Sequence, residues 1–357
     1  MKKVSVMIVE DSRVVSEFLH YIINRDPRLE VVASVRSGED ALKSIATVNP
    51  DVVSLDIRLP GMNGLEATTR IMSEHPTPIV VVSSDVEDEE LKISMNALRA
   101  GALAVVQKPV GLSHEDYNKL AESLCTKLVI MSQVRVIRQR YRSRTSAVAS
   151  ENVPAIPLPK ASTNIPRVLA IVASTGGPSA LTKVLGDLTP NFPAPIMLVQ
   201  HITPGFVRGF VSWLNDVLPH LKVVEAQHLT KLEPGVVYVA PADCHMTYAN
   251  NNQIYLTHGD AICAQRPSGS ALFHSLSKTI GAEAIGVLLT GMGEDGAGGL
   301  KEMALAGSYT IAEHESTAVV YGMPAAAVRM GGASAVLPLP EIGPRLNALF
   351  RRRISVP

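Results

Sequence analysis

The chain has 357 residues, 46% of them hydrophobic and 18% charged, with a formal net charge of zero. This length and composition suit two globular domains with full cores and give no overall field to recruit nucleic acid or an acidic membrane. Cys125, Cys244 and Cys263 form no C-x-x-C pair, which argues against a disulfide framework or a cysteine zinc site and fits a reducing cytoplasm.

The start, "MKKVSVMIVEDS", has two lysines and an apolar run, as a secretory leader would. The run is short, however, and Glu10 and Asp11 end it without a small-residue cleavage site, so a buried first strand is expected. No other apolar run approaches the roughly 20 residues needed to span a bilayer, and no membrane insertion is expected.

Over the first 110 or so residues, β-rich runs at 4–9, 30–35, 51–55, 78–83 and 103–106 alternate with amphipathic helical stretches. Strands apolar on both faces and separated by helices predict a five-stranded, doubly wound parallel sheet of flavodoxin-like order 2-1-3-4-5. The working edge of such a sheet lies at the carboxyl ends of its strands. Glu10 and Asp11 follow the first strand there, and Asp56 follows the third. Carboxylates brought together repel unless a cation is present, and Mg²⁺, a hard ion that takes carboxylates and waters, suits the set. Ser83 and Lys108 end strands four and five, where a hydroxyl and an ammonium would bind the oxygens of a phosphoryl group. Pro109 makes the bond after Lys108 a candidate for the cis form. Taken singly, any of these residues could merely cap a helix, as Asp11 could for the one starting near Ser12.

The pieces "IVEDS", "LDIRLPGMNGLE", "VVSS" and "QKP" together resemble the response-regulator receiver domain over residues 1–125. The resemblance implies that Asp56 accepts a phosphoryl group from a histidine kinase. It also implies that Glu10, Asp11, Asp56 and the backbone carbonyl of Arg58 hold Mg²⁺, while Ser83 and Lys108 contact the phosphoryl oxygens. Glu10 stands where aspartate is commonest, and Val105 where an aromatic switch residue is common.

Residues 113–142 read as one long helix. From Lys127 to Arg144 it carries six basic residues and no acidic one, which predicts a solvated face rather than a nucleic-acid arm. The following "SAVASENVPAIPLPKASTNIP" has four prolines and reads as an extended linker.

The second half alternates again. Strands are predicted at 168–173, 195–200, 221–225, 236–240, 253–257, 284–289, 308–312 and 335–338, and helices at 177–187, 205–217, 268–280, 296–306, 323–331 and 340–352. The segment "GVVYVAPADCHMTYANNNQIYLTHG" reads as an antiparallel hairpin turning at "ANNNQ".

In this half "VLAIVASTGGPSAL" runs from a buried strand into a glycine-rich turn and a helix. A dinucleotide cradle would need G-x-G-x-x-G here and an acid after the next strand; the chain has Ser174 in place of the first glycine and Gln200-His201 after that strand. There is no G-K-[ST] either. A serine held at the positive end of a helix dipole fits a nucleophile instead, with Gly176 and Gly177 opening the backbone to substrate. His201 ends the neighbouring strand, and Asp295 follows the strand "AIGVLL". Serine, histidine and aspartate therefore converge on one sheet edge, the constellation nucleophilic acyl transfer requires. A backbone hydrogen bond for His201 and a helix cap for Asp295 are the structural alternatives, and Thr175 offers a second hydroxyl.

"IVASTGGPSAL", "VQHITPGF", "RPSGSALFHS", "LTGMGEDGAGGLKEM" and "YTIAEHESTAVVYGMPAAA" resemble the chemotaxis protein-glutamate methylesterases and glutamine deamidases of the CheB family. The resemblance assigns Ser174, His201 and Asp295 as the catalytic triad, with Thr175 and the backbone at Met292 near the oxyanion and no cofactor for the esterase reaction. It implies a receiver over 1–125, a helical extension and linker over 126–166 and a catalytic α/β domain over 167–357. It further implies chemoreceptor substrates, phosphorylation by the pathway's histidine kinase, a cytoplasmic location, and a receiver that covers the catalytic edge until Asp56 is phosphorylated. A receiver driving a non-enzymatic output on nucleic acid is the alternative from another class, and no helix-turn-helix follows the receiver to support it.

Overall fold

The structure is a computed structural model that describes residues 2–83, 88–109, 117–134, 136 and 166–351. The N-terminal unit runs β1 (Val4–Val9), α1 (Arg13–Arg25), β2 (Leu29–Val35), α2 (Gly38–Val48), β3 (Val52–Asp56), α3 (Gly64–Glu74), β4 (Ile79–Ser83), α4 (Asp88–Arg99), β5 (Ala104–Gln107) and α5 (Tyr117–Met131). All its strands pair in parallel, in the order β2-β1-β3-β4-β5. β3 and β4 are buried along their whole length because helices cover both faces of the sheet. Ser12, not Asp11, caps α1, its hydroxyl accepting from the Val15 N–H; Asp11 is left exposed at the strand end.

The helix expected over 113–142 ends at Met131. The Ser132 hydroxyl donates back to the Val129 carbonyl, and the Gln133 and Val134 amides close on carbonyls three residues earlier. Such local bonds compete with the helical ladder and tighten its last turn. The rest of the basic stretch and nearly all of the linker lie outside the described residues.

The C-terminal unit runs β6 (Val168–Ala173), α6 (Gly177–Gly186), β7 (Ile196–Gln200), α7 (Val207–Val217), β8 (Lys222–Glu225), β9 (Val236–Val239), β10 (His245–Ala249), β11 (Gln253–Thr257), α8 (Gly269–Thr279), β12 (Ala284–Leu288), α9 (Ala297–Leu305), β13 (Tyr309–Glu313), α10 (Met323–Arg329), β14 (Ala335–Leu337) and α11 (Leu339–Arg351). Seven strands form one parallel sheet in the order β14-β13-β12-β6-β7-β9-β8. Only β10 and β11 pair as an antiparallel hairpin, turning at Asn250–Asn252. The "VVYV" run, expected within that hairpin, is instead β9, fully buried between β7 and β8 in the main sheet. A run apolar at every position suits a strand covered on both faces, which the half-exposed hairpin cannot supply.

α4 of the first unit packs on α7 and α6 of the second. Trp213 on α7, the chain's single tryptophan, is buried, and its indole N–H donates to Asn96 Oδ1 on α4 at 3.1 Å. The first unit thereby lies over the carboxyl edge of the second sheet.

Candidate active site and acid pocket

β12, β6 and β7 are consecutive in the sheet, and their carboxyl ends carry the segments with Asp295, Ser174 and His201. β6 lies between β12 on one side and β7 on the other, so the strand order switches direction here and a crevice opens as doubly wound topology demands. All three residues line one cavity of about 460 Å³.

His201 Nε2 lies 2.9 Å from Asp295 Oδ2, with both side chains nearly buried. His201 Nδ1 is buried and has no hydrogen-bond partner. Asp295 does not cap its own helix: Gly296 takes that position at φ 85° with no side-chain cap. It accepts instead from the Ser268 hydroxyl (2.6 Å) and from the backbone N–H groups of Gly269 (2.6 Å) and Ser270 (3.1 Å), at the start of α8. Burial pushes its carboxyl up, but His201, Ser268 and Gly269 outweigh that and hold it down at about 2. Ser270 Oγ accepts from the Gly296 N–H at 2.8 Å, tying the starts of α8 and α9 together.

Ser174 is held through its backbone. Its N–H donates to Thr290 O at 3.0 Å, and its carbonyl accepts from Gln200 Nε2 at 2.8 Å. Gln200 also donates to the His201 carbonyl at 3.0 Å, so one side chain clamps the residues carrying the hydroxyl and the imidazole. Among the described residues no hydrogen bond joins Ser174 Oγ to His201. Thr290 Oγ1 donates to Thr175 O at 2.9 Å, and buried Glu313 accepts from the Thr290 N–H at 2.8 Å. Thr175 and Met292 both line the cavity, Met292 half exposed at its mouth.

Both glycines after Thr175 pack tightly against neighbouring side chains, and Gly176 also lines the cavity. Gly176 has φ 79°, and a Cβ there would lie 2.6 Å from Val319 Cβ. A Cβ on Gly177 would meet the Gln200 side chain. Gly177 is packed from within, whereas Gly176 combines this packing with a place in the cavity wall beside Ser174.

Sequence reasoning missed Ser268, Gln200, Thr290 and Glu313. Ser268 alone carried a local signal, a serine one residue before a helical stretch. The others act across strands, which no local pattern reports.

In the first unit, ligand oxygens of Glu10, Asp11 and Asp56 lie within 4.8 Å of one another. Lys108 Nζ is 2.8 Å from both Glu10 Oε2 and Asp56 Oδ2. Burial, reinforced by Asp56, raises the Glu10 carboxyl; burial lowers the Lys108 ammonium, but its two carboxylate partners win and raise it. One ammonium balances only one of the two buried carboxylates, and three hard oxygen donors suit a divalent cation such as Mg²⁺. The Ser83 hydroxyl at the same edge is buried, with no hydrogen-bond partner among the described residues. Arg58 is exposed, with its N–H 3.3 Å from Asp56 Oδ1. The Lys108–Pro109 bond is trans, and among the described residues the cis bond is Arg266–Pro267. A trans bond needs no special account, since X–Pro favours it intrinsically.

The cavity wall on the first unit comes from α4, β5 and α5. On α5, Ser123, Thr126, Lys127 and Ile130 form one stripe at i, i+3, i+4 and i+7. Lys127, expected on a solvated face, therefore points between the two units. Val105 is half-buried in the same wall. No helix among the described residues is long and apolar enough to cross a membrane.

The family model for CheB methylesterase matches residues 169–346, and that for the response regulator receiver domain matches residues 6–115. The chain is 52% identical over 351 residues, 98% of each chain, to protein-glutamate methylesterase/protein-glutamine glutaminase 2 of Paramagnetospirillum magneticum. It is 41% identical over 98% of each chain to the protein-glutamate methylesterase/protein-glutamine glutaminase of Nitrosospira multiformis. Among solved structures, the CheB methylesterase catalytic domain of Thermotoga maritima matches with a TM-score of 0.50 and 36% identity, covering 52% of this chain and 98% of that one.

Proposed function

The chain belongs to the CheB methylesterase family, with a response regulator receiver domain ahead of the esterase, and from that premise we propose that it demethylates glutamate methyl esters and deamidates glutamines on chemoreceptors under phosphorylation control. The observation that carries the reading is the His201–Asp295 pair beside Ser174 in one cavity.

Asp295 is ionised at neutral pH and can only accept, so His201 Nε2 carries the proton between them. Nδ1 is then left with a lone pair and no partner, and it takes the Ser174 proton. Ser174 Oγ attacks the γ-carbonyl of the methylated side chain, and donors near Thr175 and Met292 stabilise the oxyanion. The imidazolium returns the proton to the departing methoxide, releasing methanol. Water, deprotonated by the same nitrogen, attacks the acyl-enzyme and frees the glutamate carboxylate and Ser174. With a glutamine side chain ammonia leaves in place of methanol. This reaction needs no cofactor.

On the receiver, Asp56 accepts a phosphoryl group from the pathway's histidine kinase. Glu10, Asp11, Asp56 and the Arg58 carbonyl would hold Mg²⁺, which supplies charge neutralisation for phosphoryl transfer. Ser83 and Lys108 bind the phosphoryl oxygens. Phosphorylation disfavours the packing of α4 on α7 and uncovers the cavity, which requires the phosphorylated receiver to bind the catalytic unit more weakly than the unphosphorylated one. The enzyme acts in the cytoplasm on the receptors' helices.

A serine-directed fluorophosphonate, which loses fluoride as its phosphorus bonds to Oγ, tests the nucleophile. Peptide mapping should find the adduct on Ser174 and none in Ser174→Ala; an adduct on Thr175 would overturn the assignment.

A further inference from the structure

Among the described residues, the cavity between the two units is lined by one lysine, Lys127, that has no salt-bridge partner. Lys127 projects into it from α5, and among the described residues it takes part in no hydrogen bond or ion pair. Burial alone pushes its ammonium down to about 8. Lys127 is part-buried, and a charge drawn partly out of water is favoured by a partner, because the protein replaces hydration poorly.

The other charges around the cavity do not serve. Asp295 is committed to His201, Ser268, Gly269 and Ser270. Glu294 lies exposed at the rim and forms no salt bridge with Lys127 among the described residues. The remaining titratable groups in the lining are His201 and Cys263.

We propose that this cavity binds a small aliphatic monocarboxylate, with the Lys127 ammonium of the receiver as its counter-ion and the catalytic edge as its other wall. One ammonium balances a monoanion, whereas a phosphate dianion would leave excess negative charge facing Glu294 and Asp295. The hydroxyls of Ser123 and Thr126 flank Lys127 and can donate to the second carboxylate oxygen, while Ile130 and Phe206 offer apolar surface to a short alkyl stem. A volume of about 460 Å³ admits such a molecule, but not a helix about 10 Å across. The ligand is therefore a free small molecule rather than a receptor segment.

A ligand touching both units binds only when they are docked, so it holds the receiver on the active site. This consequence rests on the proposed regulation. By linkage, phosphorylation weakens the carboxylate's binding by the factor by which the carboxylate opposes undocking.

The test is calorimetric titration of the full chain with sodium butyrate, the length of a glutamyl side chain, and with butyramide as its neutral counterpart. Saturable butyrate binding in the millimolar range is expected, with butyramide at least about tenfold weaker. Lys127→Met, which keeps the stem and removes the charge, should weaken butyrate by about tenfold or more, and Lys127→Arg should retain it. Equal butyrate affinity in wild type and Lys127→Met, or no saturable binding up to about 50 mM, overturns the site. The measurement does not depend on turnover, so a failed esterase assignment would leave its outcome standing.

Discussion

Asp295 meets His201 through Nε2, at 2.9 Å, and leaves Nδ1 of the same ring buried and unpartnered. In the proposed mechanism this leaves Nδ1 to move the proton. Asp295→Asn offers an amide where the ring needs an acceptor and favours the wrong tautomer. The kcat for demethylation should fall about 10³–10⁴-fold with substrate affinity little changed. A loss of less than about tenfold would remove Asp295 from the proton path.

Asp295 also contributes stability. Its folded-state value, about 2, lies below the ordinary 3.8. The ionised form thus adds about 2 kcal/mol, fully present above the ordinary value and lost as pH falls toward 2. In urea unfolding at pH 7 the wild type should exceed Asp295→Asn, and the gap should narrow near pH 2.5, inside that window. A gap independent of pH would contradict this.

Gly176 sits at φ 79° with Val319 against it. Gly176→Ala should cost about 1–3 kcal/mol and slow demethylation by displacing the Ser174 loop. Adding Val319→Gly, which removes the clashing Cβ as well as the methyl groups, should recover the steric part and leave the strain at φ 79°. Full recovery in the double variant would show that φ carries no strain there.

Trp213 donates to Asn96 across the interface. Asn96→Ala leaves a buried indole N–H unpaired, weakening docking by about 1–3 kcal/mol. Demethylation without phosphodonor should rise several-fold, and Trp213 emission should shift toward the red as water reaches the ring. Unchanged activity and emission would mean that this bond does not hold the receiver down.

Asp56→Ala, or chelation of Mg²⁺, should abolish the increase in demethylation that a phosphodonor produces. Stimulation surviving either treatment would place the phosphoryl acceptor elsewhere.

The strand ends were legible in the sequence because parallel strands are apolar throughout and stop abruptly at polar residues, so Glu10, Asp56, Ser174 and His201 stood out. Their convergence followed from topology alone. Lys127 was not legible: it opens a stretch to Arg144 with six basic residues and no acidic one, which reads as a solvated face, and only docking turns the α5 stripe inward. The Asp295 partners at 268–270 lie 25–27 residues away in sequence, beyond any local pattern. Gly177 misled for the opposite reason, since a glycine packed from within and one open to substrate look alike in a sequence. The β9 run was drawn into the hairpin because the segment continues directly into β10, and its unbroken apolarity was the sign that it belonged to the main sheet.

The central claim is that Ser174 performs esterase chemistry that the docked receiver restrains. The most direct test is methanol release from methylated chemoreceptor by the full chain, with and without a phosphodonor and Mg²⁺. Release should be slow, rise on phosphorylation and disappear in Ser174→Ala under both conditions. Undiminished release by Ser174→Ala would contradict it.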